Sequence, residues 1–219
     1  MRRVRVKVCG ITREEDLKMV CNMDVDAVGF IVNVPTSPRN LTLEKAKELI
    51  RQVPVFVKSV VVTVPKNIDD VVTVYEVLRP DIIQISGELK HSQTLREKMM
   101  DVCLIKAVSV KSEESFNEAI NESKFFDAIL LDSYTPGKCG GTGLTHNWKI
   151  SRQIRDAIHP KPIILAGGLN PENVKEAIQT VKPYAVDVST GVESSPGIKD
   201  PAKVEAFIKN AKEISLYDD

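Results

Sequence analysis

The sequence predicts a closed (β/α)8 TIM barrel occupying residues 1–219 as a single domain. Short apolar runs alternate with amphipathic helical stretches from end to end, eight times over, at roughly 27 residues per unit. No linker or low-complexity stretch interrupts them. The last two runs also lead into glycine-containing turns, the position where such barrels hold phosphate. An open doubly wound sheet, which alternates in the same way, is the competing architecture.

The expected strands cover residues 4–9, 27–32, 57–63, 82–85, 104–108, 128–132, 162–166 and 185–189. Helical segments lie near 13–22, 42–52, 68–78, 92–100, 112–122, 147–157, 171–180 and 200–213. Several of these helices open on residues whose side chains accept from exposed N–H groups. Thr12 is read as the cap of a helix starting at Arg13, with Thr42, Asn67 and Ser112 capping later ones. Asn170 precedes Pro171, a residue suited to a first helical position.

Lysine and arginine total 30 and so do aspartate and glutamate, so no net field favours nucleic acid or an anionic membrane. No apolar stretch approaches the roughly 20 residues that cross a bilayer. Met1-Arg2-Arg3 runs straight into a strand, which leaves no room for a signal peptide. Four cysteines (Cys9, Cys21, Cys103, Cys139) and three histidines (His91, His146, His159) show no metal-ligand spacing. The expectation is a reduced, cytoplasmic protein without metal or cofactor, monomeric or homodimeric, acting on a small molecule.

Cys9 ends the first strand and Gly10 turns the chain, so its thiol sits where α/β enzymes keep their chemistry. Side chains alternate, so Lys7 and Cys9 face the barrel axis while Val4, Val6 and Val8 face the helices. An inward lysine needs an acid partner or a water-filled gap; an inward acid such as Asp187 is the expected partner, and the lysine's field would favour a thiolate at Cys9. The sixth strand ends on Asp132. Strand ends converge on one mouth, so Cys9 and Asp132 would form a base and acid pair over a bound sugar.

After the seventh strand comes Gly167-Gly168-Leu169-Asn170, and after the eighth Ser189-Thr190-Gly191-Val192-Glu193. Glycines let backbone N–H groups approach a ligand, and a short helix after the eighth strand would aim more of them at one point. Two such turns in consecutive positions indicate a phosphorylated ligand. They do not say which one.

The chain resembles phosphoribosylanthranilate isomerase, the tryptophan-pathway enzyme, over nearly its whole length. The carriers are Lys7-Val8-Cys9-Gly10-Ile11-Thr12, Asp26-Ala27-Val28-Gly29-Phe30, Ser37-Pro38-Arg39, Leu130-Leu131-Asp132, Gly140-Gly141-Thr142-Gly143 and the two phosphate turns. The resemblance implies an Amadori rearrangement of N-(5-phosphoribosyl)anthranilate to 1-(2-carboxyphenylamino)-1-deoxyribulose 5-phosphate. It implies Asp132 as general acid, Cys9 as general base and Arg39 as the ligand of the anthranilate carboxylate. Gln84, Asp187, Gly167, Gly168, Ser189, Thr190 and Gly191 complete the implied substrate-binding set.

Ser86 stands where that family usually has histidine, and Val60-Val61-Val62-Thr63-Val64 replaces a stretch that more often holds glycine and phenylalanine. His146 reads as a partly exposed loop residue, and Cys139 as exposed in the glycine loop. A phosphosugar epimerase and a non-enzymatic phosphosugar sensor are the rival readings. The sensor has no use for both Cys9 and Asp132.

Overall fold

The computed structural model describes residues 2–111, 113–133 and 146–216. Eight parallel strands form the central sheet: β1 (Arg5–Cys9), β2 (Ala27–Val32), β3 (Lys58–Thr63), β4 (Ile82–Ile85), β5 (Cys103–Val110), β6 (Ala128–Ser133), β7 (Ile163–Leu165) and β8 (Ala185–Val188). β1 pairs with β2 on one side, Cys9 opposite Gly29, and with β8 on the other, Lys7 opposite Asp187. That double pairing closes the sheet into a barrel and rules out the open alternative. Three short pairs lie outside the barrel's ring. Asn40–Leu41 adds to β2, Arg2–Arg3 pairs with Ser215–Leu216, and Glu193–Ser195 pairs with Ile198–Lys199.

The helices are α1 (Glu14–Cys21), α2 (Leu43–Ile50), α3 (Ile68–Leu78), α4 (Ser92–Lys98), α5 (Glu113–Glu122), α6 (Trp148–Ile158), α7 (Val174–Val181) and α8 (Pro201–Lys212). Outward strand residues such as Val6, Val8, Val28 and Phe30 pack with the helices in a large buried layer. The inward residues form smaller separate clusters, Ile105, Leu130 and Ile164 in one and Cys9, Val60 and Val62 in another. A period of two along each strand produces this division, as the valine pattern of β1 predicts.

Thr42 and Asn67 cap as expected, accepting from Lys45 N–H at 3.2 Å and Asp70 N–H at 3.0 Å. Two helix starts differ from the sequence reading. Thr12 caps nothing: its hydroxyl donates to the Gly197 carbonyl at 2.6 Å, tying the β1 turn to the last loop, and α1 begins at Glu14. α7 begins at Val174, because the Asn170 carboxamide accepts from Glu172 and Asn173 N–H groups and closes a turn around Pro171 first. Ser112 and the 139–143 segment lie outside the described residues.

A repeated aspartate ties strands together at the amino-terminal end of the barrel. Asp26, just before β2, accepts from Val6 N–H; Asp81, before β4, accepts from Ser59 N–H; Asp127, before β6, accepts from Leu104 N–H. Each also meets a cation, Arg5, Lys58 and Arg96 respectively. These bonds lie at the end of the barrel away from the strand-end chemistry, so their contribution is stability. Asp81→Ala is expected to lower the unfolding free energy by about 1–3 kcal/mol in urea titration while leaving turnover within twofold.

Candidate active site

Lys7 and Asp187 meet inside the barrel across the β1–β8 seam, Nζ to Oδ2 at 2.9 Å, both buried. Burial alone would lower the Lys7 pKa, but the charge and hydrogen bond of Asp187, with the neighbouring Cys9, outweigh it and hold the ammonium form. Cys9 lies one inward position further along β1 and is buried. The glycine opposite makes its space: a Cβ at Gly29 would come within 2.7 Å of Sγ. Gly10 then adopts φ +76°, which turns its N–H and that of Ile11 onto the Gly29 carbonyl at 2.9 and 3.0 Å.

The expectation of a lowered thiol pKa is corrected here. Burial pushes the Cys9 thiol up, and the opposing pull of Lys7 and Lys199 does not overcome it. Cys9 therefore rests as a thiol, with two nearby cations, Lys7 and Lys199, whose charge favours the thiolate form.

Asp132, on β6, has its pKa raised to about 6, first by burial and then by the charge of Asp187. The Ser133 N–H, which donates to its Oδ1 at 2.7 Å, and the field of Lys7 act in the other direction. Gly167 has φ +83°, and a side chain there would collide with the Ser133 backbone nitrogen and come 2.9 Å from Asp132 Oδ1. Behind the acid, Ser133 Oγ shares a hydrogen bond with His146 Nδ1 at 3.1 Å, and His146 Nε2 another with Ser151 Oγ at 2.6 Å. Burial pulls the His146 pKa down to about 4, so the imidazole is neutral. His146 thus steadies the strand end and does not line the cavity.

Cys9 and Asp132 both line one cavity of about 510 Å3, a size suited to a small phosphorylated metabolite. Gln84, Arg39, Asp187, Gly167, Gly168, Ser189 and Thr190 line it too. Gly191 does not; it sits in a 3-10 turn, Thr190–Val192, and its missing side chain lets that turn pack against the Leu169 carbonyl. The two glycine turns therefore touch, as one composite mouth. Ile31, Val34, Val62 and Val64 supply an apolar wall with Ser86 beside it. Gln84 Oε1 and Asp187 Oδ1 are buried without hydrogen-bond partners among the described residues, and both residues border the cavity. Such acceptors are costly unless a ligand donates to them. No group of three or more metal-ligating side chains occurs among the described residues, and no described helix is long and apolar enough to cross a membrane.

Three buried groups escaped the sequence reading. Lys106 faces the helices and donates to the Gly87 carbonyl at 2.5 Å, fixing the turn that carries Ser86. Glu193 and Lys199 form a charged cluster with Arg39. Glu193 ends a motif already recognised in the sequence, whereas nothing local marks Lys199.

Comparison with known proteins shows the family. The family model for N-(5'phosphoribosyl)anthranilate (PRA) isomerase matches residues 6–210. The chain belongs to this family. The isomerase of Methanothrix thermoacetophila is 41% identical over 209 residues, covering 95% of this chain and 98% of that protein. The crystal structure of phosphoribosyl anthranilate isomerase from Thermotoga maritima superposes with a TM-score of 0.84 at 38% identity, covering 96% of this chain and all of that one. A second crystal structure of a phosphoribosyl anthranilate isomerase, in complex with reduced 1-(o-carboxyphenylamino)-1-deoxyribulose 5-phosphate, superposes with a TM-score of 0.81 at 36% identity, with coverage of 96% and 100%.

In this member of the phosphoribosylanthranilate isomerase family, Lys7 is the cation that most lowers the Cys9 pKa. Lys7→Met is expected to raise the thiol pKa further, read by the pH dependence of alkylation by a small neutral reagent. An unchanged profile would refute the coupling.

Proposed function

We propose that this protein catalyses the isomerisation of N-(5'-phosphoribosyl)anthranilate to 1-(2-carboxyphenylamino)-1-deoxyribulose 5-phosphate, with Asp132 as general acid and Cys9 as general base. The observation that carries the reading is a carboxyl with a pKa raised to about 6 and a thiol flanked by Lys7, bordering one cavity with two glycine turns. The phosphate would lie against Gly167, Gly168, Ser189 and Thr190, where backbone N–H groups can meet it. Arg39 would take the anthranilate carboxylate, and the apolar wall would take the ring. Gln84 Oε1 and Asp187 Oδ1 would accept from substrate donors.

In the reaction, protonated Asp132 gives its proton to the ribose ring oxygen, and the ring C–O bond breaks to leave a Schiff base. The Cys9 thiolate removes the C2 proton, and the electron pair moves into an enolamine. The enol oxygen then loses its proton as C1 gains one, which yields the ketone. A proton passing from Cys9 to Asp132 resets the enzyme. Substrate and product are isomers, so no redox partner is consumed.

Two pKa values in this order shape the pH dependence. The acid titrates near 6 and the base above its ordinary value, so the productive form, acid protonated and base ionised, is always a minority. Its population rises with pH up to about 6, stays level, and falls only when the thiol itself ionises. The profile of kcat/KM is therefore expected to show an ascending limb near 6 that Asp132 sets.

With freshly prepared phosphoribosylanthranilate, Cys9→Ser and Asp132→Asn are each expected to lower kcat by about 10²-fold or more. Arg39→Met should chiefly weaken binding of anthranilate-bearing ligands. Near-normal turnover by Cys9→Ser would remove the assigned base. Tight phosphosugar binding by the unaltered protein without turnover would favour a sensor instead.

A further inference from the structure

Arg39 reaches the cavity from the loop after β2, with its stem laid across Gly10, where a Cβ would come within 2.6 Å of its Cδ. Its guanidinium is not loose. Nε donates to Glu193 Oε1 at 2.7 Å and Nη2 to Oε2 at 2.5 Å, a two-pronged pairing that occupies one edge of the fork. Lys199 Nζ donates to the same Oε1 at 3.0 Å and to the Ser189 carbonyl at 3.2 Å, and its side chain is fully buried. Arg39 lines the cavity whereas Glu193 and Lys199 do not.

A guanidinium has five N–H donors and two edges that can each grip a carboxylate. Glu193 accepts along the edge formed by Nε and Nη2, leaving the Nη1–Nη2 edge, from which no described residue accepts at Nη1. Burying a carboxylate between two cations is costly unless the geometry serves something, and an arginine could have been left free to bind a ligand alone. The cluster carries a net charge of +1, the sum of Arg39, Lys199 and Glu193, so its cationic character survives the pairing.

We propose that Glu193, held by Lys199, is a positioning residue that fixes the plane of Arg39 so that its remaining edge selects ligands bearing a carboxylate. This rests on the reading of Arg39 given above. The benefit is entropic: a free arginine loses much rotamer freedom on binding, and a braced one has already lost it. Lys199 has two parts in the device. With Arg39 it holds the Glu193 carboxyl below its ordinary pKa, and through the Ser189 carbonyl it ties the brace to the turn proposed to hold the phosphate, fixing the spacing between the two anionic ends of the ligand.

The sign of one substitution decides between a brace and simple charge. Glu193→Gln removes a negative charge beside Arg39, so electrostatics alone would tighten carboxylate binding. A brace predicts the reverse. The probes are the reduced product, which carries the carboxylate, and its analogue lacking that group, with affinities measured by calorimetry. Glu193→Gln is expected to weaken the carboxylated probe at least tenfold and the other by no more than about twofold, and to raise KM by a larger factor than it lowers kcat. The double substitution Glu193→Gln with Lys199→Met restores the cluster charge to +1 and should show the same selective loss, so a single variant that fails to fold does not end the test. Unchanged or tighter binding of the carboxylated probe, or equal weakening of both probes, would overturn the proposal. If the unaltered protein fails to distinguish the two probes, the role of Arg39 itself falls.

Discussion

The site is organised around a buried ion pair at the seam where the barrel closes. Lys7 and Asp187 belong to the first and last strands, so their contact at 2.9 Å both joins the two ends of the sheet and places a dipole at the axis. Its two charges act on Cys9 and Asp132 with opposite signs. Asp187 raises the pKa of Cys9 and of Asp132, and Lys7 lowers both. The pair also leaves Asp187 Oδ1 without a hydrogen-bond partner among the described residues, beside the cavity.

Around that pair, absent side chains matter as much as present ones. Gly29 clears the volume in which the Cys9 sulfur sits, and Gly167 lets the β7 turn approach the strand end that carries Asp132. Cys9 and Asp132 are thus each held by close contact with a neighbouring backbone, which fixes them without adding polar partners. The supporting bonds come from behind, from the Ser133 N–H and from the Ser133–His146–Ser151 chain. Burial then has its full effect on the pKa values, keeping Asp132 protonated near neutrality more than an exposed aspartate and Cys9 a thiol at rest.

The two ends of the barrel divide the work. At the amino-terminal end, Asp26, Asp81 and Asp127 each stitch one strand to the backbone of its neighbour. At the carboxyl-terminal end, buried charges are arranged in pairs and clusters that leave one valence open toward the cavity, as in Asp187 and in the Arg39–Glu193–Lys199 group. Satisfied polar groups favour a single rigid arrangement; partly satisfied ones favour a ligand.

The barrel was legible from the sequence because its evidence is local and repeated. Alternation along β1 named the inward pair Lys7 and Cys9, and eight periods of the same pattern left closure as the economical arrangement. The inward partner of Lys7 was legible too, since few acids end strands. Helix starts were less so, because Thr12 and Asn170 have cap-like side chains that the fold spends on a distant carbonyl and on a turn. The protonation state of Cys9 could not be read from neighbours in sequence, because it depends on how much water burial removes against how near two cations lie. Lys199 shows the limit most plainly: it is an ordinary residue by sequence, the pairing of a short hairpin sets it opposite Glu193, and only the packing of that hairpin against the loop after β2 brings the two to Arg39. Sequence determined which side chains face inward, because strand periodicity is a local property; tertiary structure decided which of them meet and with what charge, because distance and burial are not.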